Sequence, residues 1–332
     1  MGKAPSATKK SPKSVPASSA SAVVPVPVRP SQTRTLRQRL FRRGTLCLLA
    51  LIASGIVLQP VVRRWLPDLA TRPEYRISEG RIALTPPPRW IPADIIQQVF
   101  EQSGLEEPMS LQDPTLSERI AAAFHTHPWI ERVISVRKAW PARVYVEVVY
   151  RRPVAMVRGI DGYYPIDSAG TLLPGRDFTA ADVERYPVLD NVASVPEGRL
   201  GENWGDPAVA EAALLAEVLL EQQEGQPTWW ERLQLAAIDV PGAPKNVESV
   251  DDLQFELRTR GGSKILWGRG PRSQHPGELE VTRKLDRLAE FQQRFGQIDD
   301  EHGPWLIDIR QWDGIRKGLL SADASGTQAV KR

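Results

Sequence analysis

The feature that most constrains this chain is an uncharged apolar run near its N-terminus. Residues 44–62 read GTLCLLALIASGIVLQPVV. As an α-helix rising about 1.5 Å per residue, this run comes close to the ~30 Å hydrocarbon core of a bilayer. It has no polar face, and no small-residue cleavage site follows it as in a signal peptide. We therefore predict a transmembrane helix over 44–62 that contacts the lipid bilayer, with a buried core helix as the alternative.

Charge is distributed unevenly on the two sides of this run. Residues 1–43 contain ten Lys and Arg and no Asp or Glu, so the formal net charge of +3 leaves the remaining chain at −7. The first 43 residues lack apolar periodicity and predict a disordered, basic cytoplasmic tail. Its basic block favours an N-terminus inside and C-terminal domains outside the cytoplasm, although five arginines between residues 63 and 81 weaken that bias. The acidic remainder argues against a nucleic-acid partner.

Between residues 73 and 150 the apolar period changes from helical to extended. A strand over 75–84, interrupted at Gly80, precedes one helix that ends at Gly104 and another that is capped by Asp113. Apolar residues then alternate with polar ones in two segments around the turn AWPAR. The alternating apolar positions are Ile134, Val136, Val144, Val146 and Val148. The order strand, helix, helix, strand, strand predicts a small α+β domain over 73–150.

A longer stretch of this domain carries a family resemblance. Residues 127–155 read HPWIERVISVRKAWPARVYVEVVYRRPVA, and together with the element order they resemble the POTRA-type domain of the FtsQ/DivIB bacterial cell-division family. The motif positions are Pro128, Trp129, Trp140, Pro141, Arg152 and Pro153. POTRA domains also occur in proteins of membrane-protein assembly and secretion, which remain an alternative.

Residues 151–320 predict a second, β-rich domain with two helices, followed by a polar tail over 321–332. Asp206 and Pro207 open the first helix, a hairpin turns at Gly261-Gly262, and the second helix ends at Gly296. The segments ILWGRG, RKLDRLAEF and IDIR are similar in order to the C-terminal pattern of the same family. The fold class predicted for the whole chain is therefore α+β behind one membrane helix.

The resemblance implies a function that the residues alone do not. Members of this family are single-pass proteins of the inner membrane at the division site. They have no known catalytic chemistry and no cofactor. The resemblance implies a divisome scaffold that binds FtsB/DivIC-like and FtsL-like proteins outside the membrane and helps to control septal wall synthesis.

Candidate catalytic and metal-binding groups are weak by comparison. His125 and His127 form an HxH pair, but it ends a helix and lacks a third ligand in sequence. A membrane-anchored cell-wall enzyme, the other alternative, would need convergent carboxylates. The candidates are Asp161, Asp167, Asp239 and Asp308, and the first two stand beside or near Gly-containing turns. We predict no catalytic, cofactor or metal site.

The last strands carry the partner-binding prediction. A chain that ends in a strand often leaves an open sheet edge, to which a partner can add a strand. The candidate partner-binding residues are Trp305, Ile307, Ile309, Arg310, Trp312, Ile315, Arg316 and Leu319. Burial in the core is the alternative for Ile307 and Ile309. The basic residues Arg310, Arg316 and Lys317 are either a solvated face or a complement to an acidic partner segment.

Overall fold

The computed structural model describes residues 43–65, 72–105, 108–222, 225–242 and 249–320. The chain divides into two compact units, residues 1–67 and 68–332. The predicted tail over 1–43, apart from its last residue, and the predicted polar tail over 321–332 lie outside the described residues.

The described part of the first unit is one helix, α1 (Arg43–Trp65). Its stretch Gly44–Val61 is long and apolar enough to cross a membrane. Apolar side chains such as Leu51, 73% exposed, and Val57, 69% exposed, cover its surface. The predicted apolar helix over 44–62 is therefore confirmed as a helix, one residue longer at its start and three at its end.

The second unit begins with a small α+β arrangement. Its elements are β1 (Arg76–Ile77), β2 (Ile82–Leu84), α2 (Ile95–Ser103), β3 (Met109–Ser110), α3 (Leu116–His125), β4 (Ile130–Ala139) and β5 (Arg143–Tyr150). β5 lies in the middle of a three-stranded sheet, parallel to β2 and antiparallel to β4. The strand, helix, helix, strand, strand order was predicted, whereas the short β1–β3 pair was not.

The two helices show why these segments fold locally. α2 buries Val99 and Phe100 and ends at Gly104, whose φ of 63° is left-handed. α3 begins later than predicted, although the Asp113 carboxylate accepts hydrogen bonds from the backbone N–H and the hydroxyl of Thr115, both at 2.8 Å, as a capping residue does. Thr115, and not Asp113, is the residue that precedes the helix.

The β4–β5 hairpin departs from the predicted alternation at one position. Val144, Val146 and Val148 are buried, as predicted, but Ile134 is 55% exposed, so its predicted inward orientation is wrong. β4 carries register shifts between Ile130 and Arg132 and between Val133 and Ser135. Each irregularity changes which residues face the core, and Val133 packs there in place of Ile134.

The rest of the second unit is built around an eight-stranded sheet of order β13-β12-β11-β10-β9-β8-β6-β7. Its strands are β6 (Pro153–Arg158), β7 (Tyr163–Asp167), β8 (Val188–Asp190), β9 (Leu235–Asp239), β10 (Gln254–Thr259), β11 (Lys264–Arg269), β12 (Trp305–Asp308) and β13 (Arg316–Leu319). β10 and β11 form the predicted hairpin, with Gly262 at a φ of 88° in its turn. Thr171 and Leu172 form only isolated bridges, with Asn203 and Ile166 respectively.

Four helices follow one another along this part of the chain: α4 (Ala180–Val183), α5 (Pro207–Leu220), α6 (Trp229–Arg232) and α7 (Val281–Phe295). α5 and α7 are the two predicted helices, and both pack on the apolar face of the large sheet. Asp206 caps α5 by accepting from the N–H of Ala208 at 2.8 Å, and Gly296 ends α7 at a φ of 78°. Both predicted helix ends are therefore confirmed.

The two halves of the second unit share contacts across the predicted boundary at residue 150. Leu173 and Phe178 pack with the core of the first half. The indole N–H of Trp129 donates to Asp177 Oδ2 at 2.8 Å, and the rings of Trp129 and Phe178 lie 5.9 Å apart.

Candidate partner-binding edge

Among the residues that the structure describes, no strand lies along the outer side of β13, the outermost strand of the large sheet. It pairs antiparallel with β12, and the N–H of Leu320 donates to the carbonyl of Pro304 at 3.0 Å. In an antiparallel ladder, the residues that bond to the neighbouring strand alternate with those that point away. Residues 316, 318 and 320 therefore face β12, and the N–H and C=O groups of Lys317 and Leu319 face outward. These outward groups form what we call the β13 edge.

The opposite end of the same sheet is closed. There the outer strand is β7, which contains Pro165. The carbonyl of Pro165 accepts from the N–H of Leu173 at 2.8 Å, and the N–H of Asp167 donates to the carbonyl of Thr171 at 3.1 Å. The chain thus covers β7 with its own next segment, so within the described sheet β13 is the edge left open.

A buried arginine holds the connection that leads into β13. Arg287, on α7, is 3% exposed and donates to the backbone carbonyls of the β12–β13 loop. The acceptors are Ile309 at 2.8 Å, Trp312 at 3.1 Å, Gly314 at 3.3 Å and Gln311. A planar guanidinium supplies five N–H donors in a fixed fork. One side chain therefore fixes the path of the loop and, with it, the position of β13.

An aromatic cluster flanks the β13 edge on the side of α7. Lys317 pairs with Ile307, so its side chain lies on the helix face of the sheet. Its ammonium is 3.9 Å from the centroid of the Trp305 ring and 5.5 Å from that of Phe295, close enough for cation–π attraction. Leu319 is 66% exposed and Phe295 43% exposed. Exposed apolar side chains thus stand directly beside the outward backbone groups.

The charges around the edge are partly matched within the protein. Arg310 binds both Asp308 oxygens, at 2.9 and 3.0 Å, and Gln254 Oε1 at 3.0 Å. Burial would raise the pKa of Asp308, but the hydrogen bonds and charge of Arg310 outweigh it and hold that pKa below its usual value. The Arg316 side chain is 68% exposed and only 3.6 Å from the equally exposed Asp313. Arg316 is therefore the base most accessible to a partner.

The predicted partner-binding residues separate into two groups. Ile307 and Ile309 are fully buried in the core, so the core alternative holds for both. The others lie at or near the surface around β12, β13 and their loop: Trp305, Arg310, Trp312, Ile315, Arg316 and Leu319. Trp312 is 71% exposed, and its indole N–H donates to the carbonyl of Gly277 at 2.8 Å. That bond ties its ring to the 270–279 segment.

The motif residues of the 127–155 stretch are distant from this edge in sequence. They lie in the core and the β4–β5 turn of the first half and at the start of β6. Pro128, Trp129 and Pro153 are buried. Trp140 and Pro141 form the β4–β5 turn through a cis peptide bond, and Trp140 is 61% exposed. Arg152 is exposed just before β6.

Sequence reasoning missed Arg287. The signal for Arg287 was present, because Lys284, Arg287, Leu288 and Phe291 recur at spacings of three and four along α7. Helical geometry places them on one face, and all four are buried. A base on the apolar face of an amphipathic helix indicates a buried polar partner. Lys317 was among the candidate bases, but its aromatic neighbours come from separate segments and were not predicted.

Three of the four candidate carboxylates, Asp167, Asp239 and Asp308, are each ion-paired with an arginine. Within the described ranges, no group of three or more His, Cys, Asp and Glu side chains is placed to hold a metal ion. His125 is exposed, whereas His127 is 3% exposed, and burial lowers its pKa to about 4. Asp167 is paired with Arg151, and Asp308 with Arg310. No family model matches the chain, and no curated protein matches it.

Proposed function

We propose that this protein is a non-enzymatic scaffold of the bacterial division machinery, of the FtsQ/DivIB type. It binds FtsB/DivIC-like and FtsL-like proteins outside the cytoplasm and helps to control septal wall synthesis. The observation that carries the proposal is the β13 edge, an open strand placed where a C-terminal interaction strand is expected. The resemblance of residues 127–155 and 262–318 supplies the identity of the partners.

The proposed topology is a single pass through the inner membrane with the N-terminus inside. The length and apolar surface of α1 support the span. The ten basic residues within 1–43, the last of which is the first residue of α1, support the orientation, because basic segments are retained on the cytoplasmic side. The unit 68–332, with its two cores, then lies outside the cytoplasm.

The proposed binding mode is strand addition. A partner strand beside β13 would accept from the N–H groups of Lys317 and Leu319 and donate to their carbonyls. Its side chains on the helix side would contact Leu319, Phe295 and Trp305. Arg316, on the other face, favours an acidic residue at the matching partner position.

The test is binding of residues 68–332 to the extracytoplasmic segments of FtsB- and FtsL-like proteins from the same host. Leu319→Pro removes one outward N–H, and its ring is tolerated because that N–H does not bond to β12. Leu319→Ala is the matched control, since it shortens the same side chain and keeps the N–H. We expect Leu319→Pro to weaken binding by at least about tenfold more than Leu319→Ala, consistent with loss of a main-chain hydrogen bond.

Circular dichroism and the free energy of unfolding establish that both variants keep the fold. Equal affinity of the two variants would rule out strand addition at β13. Absence of binding by the unmodified protein would overturn the division proposal itself.

A further inference from the structure

A second surface of the protein lies at the other end of its sequence, where the chain enters the first half of the second unit. The entry segment, Pro73–Arg81, packs beside the β4–β5 turn. The N–H of Ala142 donates to the carbonyl of Glu74 at 3.0 Å, and the rings of Tyr75 and Trp140 lie 4.9 Å apart. Arg81 Nη1 donates to the carbonyl of Pro73 at 3.0 Å, which holds the segment in a loop. The two segments therefore form one continuous face.

This face is basic and aromatic, and we call it the Trp140 patch. Its exposed residues are Arg81, Trp140 and Arg143, and Arg72 and Arg76 are exposed close by in sequence. The entry segment itself has two arginines, Arg76 and Arg81, and two acidic residues, Glu74 and Glu79, so the positive excess comes from Arg72 and Arg143. The whole chain after residue 43 has a net charge of −7. A positive patch on an acidic body is therefore a local feature and does not follow from composition.

The patch also contains a concave site. A cavity of about 630 Å³ opens between the entry segment and the turn. Arg81 and Arg143 line it, together with Glu74, Pro141 and the small residues around them. Guanidinium groups bind phosphate oxygens through paired N–H donors. The cavity is large enough for the polar headgroup of a phospholipid.

The sequence limits the distance between this patch and the end of α1. Only residues 66–72 separate the end of α1 from Pro73. With α1 in the bilayer, a premise that rests on the proposed topology, these seven residues reach at most about 25 Å when fully extended, so the lipid surface is within reach of the patch. Tryptophan rings concentrate at membrane–water interfaces, and basic residues beside a membrane helix bind anionic lipid.

From these observations we propose that the Trp140 patch is a binding site for anionic phospholipid headgroups, with Trp140 inserted at the interface and the arginines on the phosphates. Binding there fixes the orientation of the folded unit on the membrane. It leaves the β13 edge, which belongs to a different sheet, for protein partners.

The test uses the full chain in phospholipid nanodiscs, because its single cysteine, Cys47, makes site-specific labelling simple. In a Cys47→Ser background, Gly80→Cys places a fluorophore on the patch and Gly242→Cys places one elsewhere. Both glycines have open space around them and no left-handed φ, so the two sites are matched. Nitroxide attached to lipid headgroups then reports the proximity of each probe to the membrane surface.

We expect the probe at residue 80, and not the probe at 242, to be quenched, more strongly in phosphatidylglycerol than in phosphatidylcholine nanodiscs. The double variant Arg76→Gln, Arg143→Gln should reduce the preference for phosphatidylglycerol over phosphatidylcholine by about tenfold or more. Each basic residue near the membrane surface contributes roughly a factor of five in affinity for anionic lipid. Arg199→Gln with Arg260→Gln, two exposed bases elsewhere, should leave it unchanged.

Quenching at residue 80 that ignores lipid charge, or that survives the Arg76 and Arg143 substitutions, would overturn the proposal. So would loss of quenching when a soluble acidic peptide is added, which would identify the patch as a peptide site. The membrane premise is tested separately with a probe on native Cys47 and nitroxide on the acyl chains. If that probe is not quenched, the topology fails, and partner binding by residues 68–332 remains an independent measurement.

Discussion

Replacing Arg287 by methionine tests whether one buried side chain sets the position of β13. Methionine fills much of the same space but donates no hydrogen bond. Four backbone carbonyls then lose their donor, of which that of Ile309 is buried. A buried acceptor left unpaired costs about 1–3 kcal/mol, and the other three carbonyls gain water in partial exchange. We expect the free energy of unfolding to fall by about 2–4 kcal/mol.

The structural effect of Arg287→Met should be confined to β13 and the loop before it. Hydrogen exchange of the amides in residues 309–320 should quicken, while the amides of β9 and β10 keep the protection set by global unfolding. Partner binding should weaken as well, because the loop and β13 must then be ordered at an entropic cost of about 1 kcal/mol per residue. Arg287→Lys keeps the charge but not the fork of donors, so it should recover only part of both losses.

Arg283→Met is the control on the same helix. Arg283 is 54% exposed and 3.5 Å from Glu290 on the solvent side, where an ion pair contributes little. The free energy of unfolding of the Arg283→Met protein should differ from that of the unmodified protein by less than about 0.5 kcal/mol. If Arg287→Met is as stable as Arg283→Met, and exchange in 309–320 is unchanged, the assignment of Arg287 as the anchor of β13 is refuted.

Other predictions concern the first half and its junction with the large sheet. The pKa of His127 is about 4 in the folded protein and 6.5 in the unfolded chain, so the unfolded chain binds the proton at a higher pH. The contribution of the neutral imidazole to the free energy of unfolding is therefore complete above pH 6.5. It falls by up to about 3 kcal/mol as the pH drops to 4. His127→Gln should remove that part of the acid sensitivity in urea titrations at both pH values. Trp129→Phe removes the 2.8 Å bond to Asp177 and should cost about 1–3 kcal/mol, measured by thermal unfolding. Gly170 has a φ of 75°, and a Cβ added there would lie 3.2 Å from a backbone carbon of α5. Gly170→Ala should therefore lower the free energy of unfolding by more than about 1 kcal/mol in the same assay.

The elements of the fold could be predicted wherever a local rule acts alone. Asp206 followed by a proline marks a helix start, and Gly296 marks a helix end, because capping depends on neighbouring residues. The inward valines of β5 follow from strict alternation. Ile134 was assigned wrongly because the register shifts of β4 are fixed by its pairing with β5, and the period of one strand does not contain that information.

The sequence did not separate the exposed residues of the candidate site from the buried ones. Ile307 and Ile309 look like interface anchors in sequence because an apolar residue on a terminal strand has the same pattern whether it faces a core or a partner. Their burial depends on α7 covering that face of the sheet. The aromatic surroundings of Lys317 were not predicted for the same reason, since Trp305 and Phe295 meet only in the folded protein.

The two ends of the large sheet show why an open edge is a property of tertiary structure. β7 and β13 are both short outer strands. β7 is closed because the chain turns after Asp167 and bonds back to it through Thr171 and Leu173. β13 is followed in the described residues only by Leu320, which bonds inward to Pro304. Since no described strand pairs with the outward backbone groups of Lys317 and Leu319, the proposed partner strand would form hydrogen bonds there without displacing any strand of the described sheet.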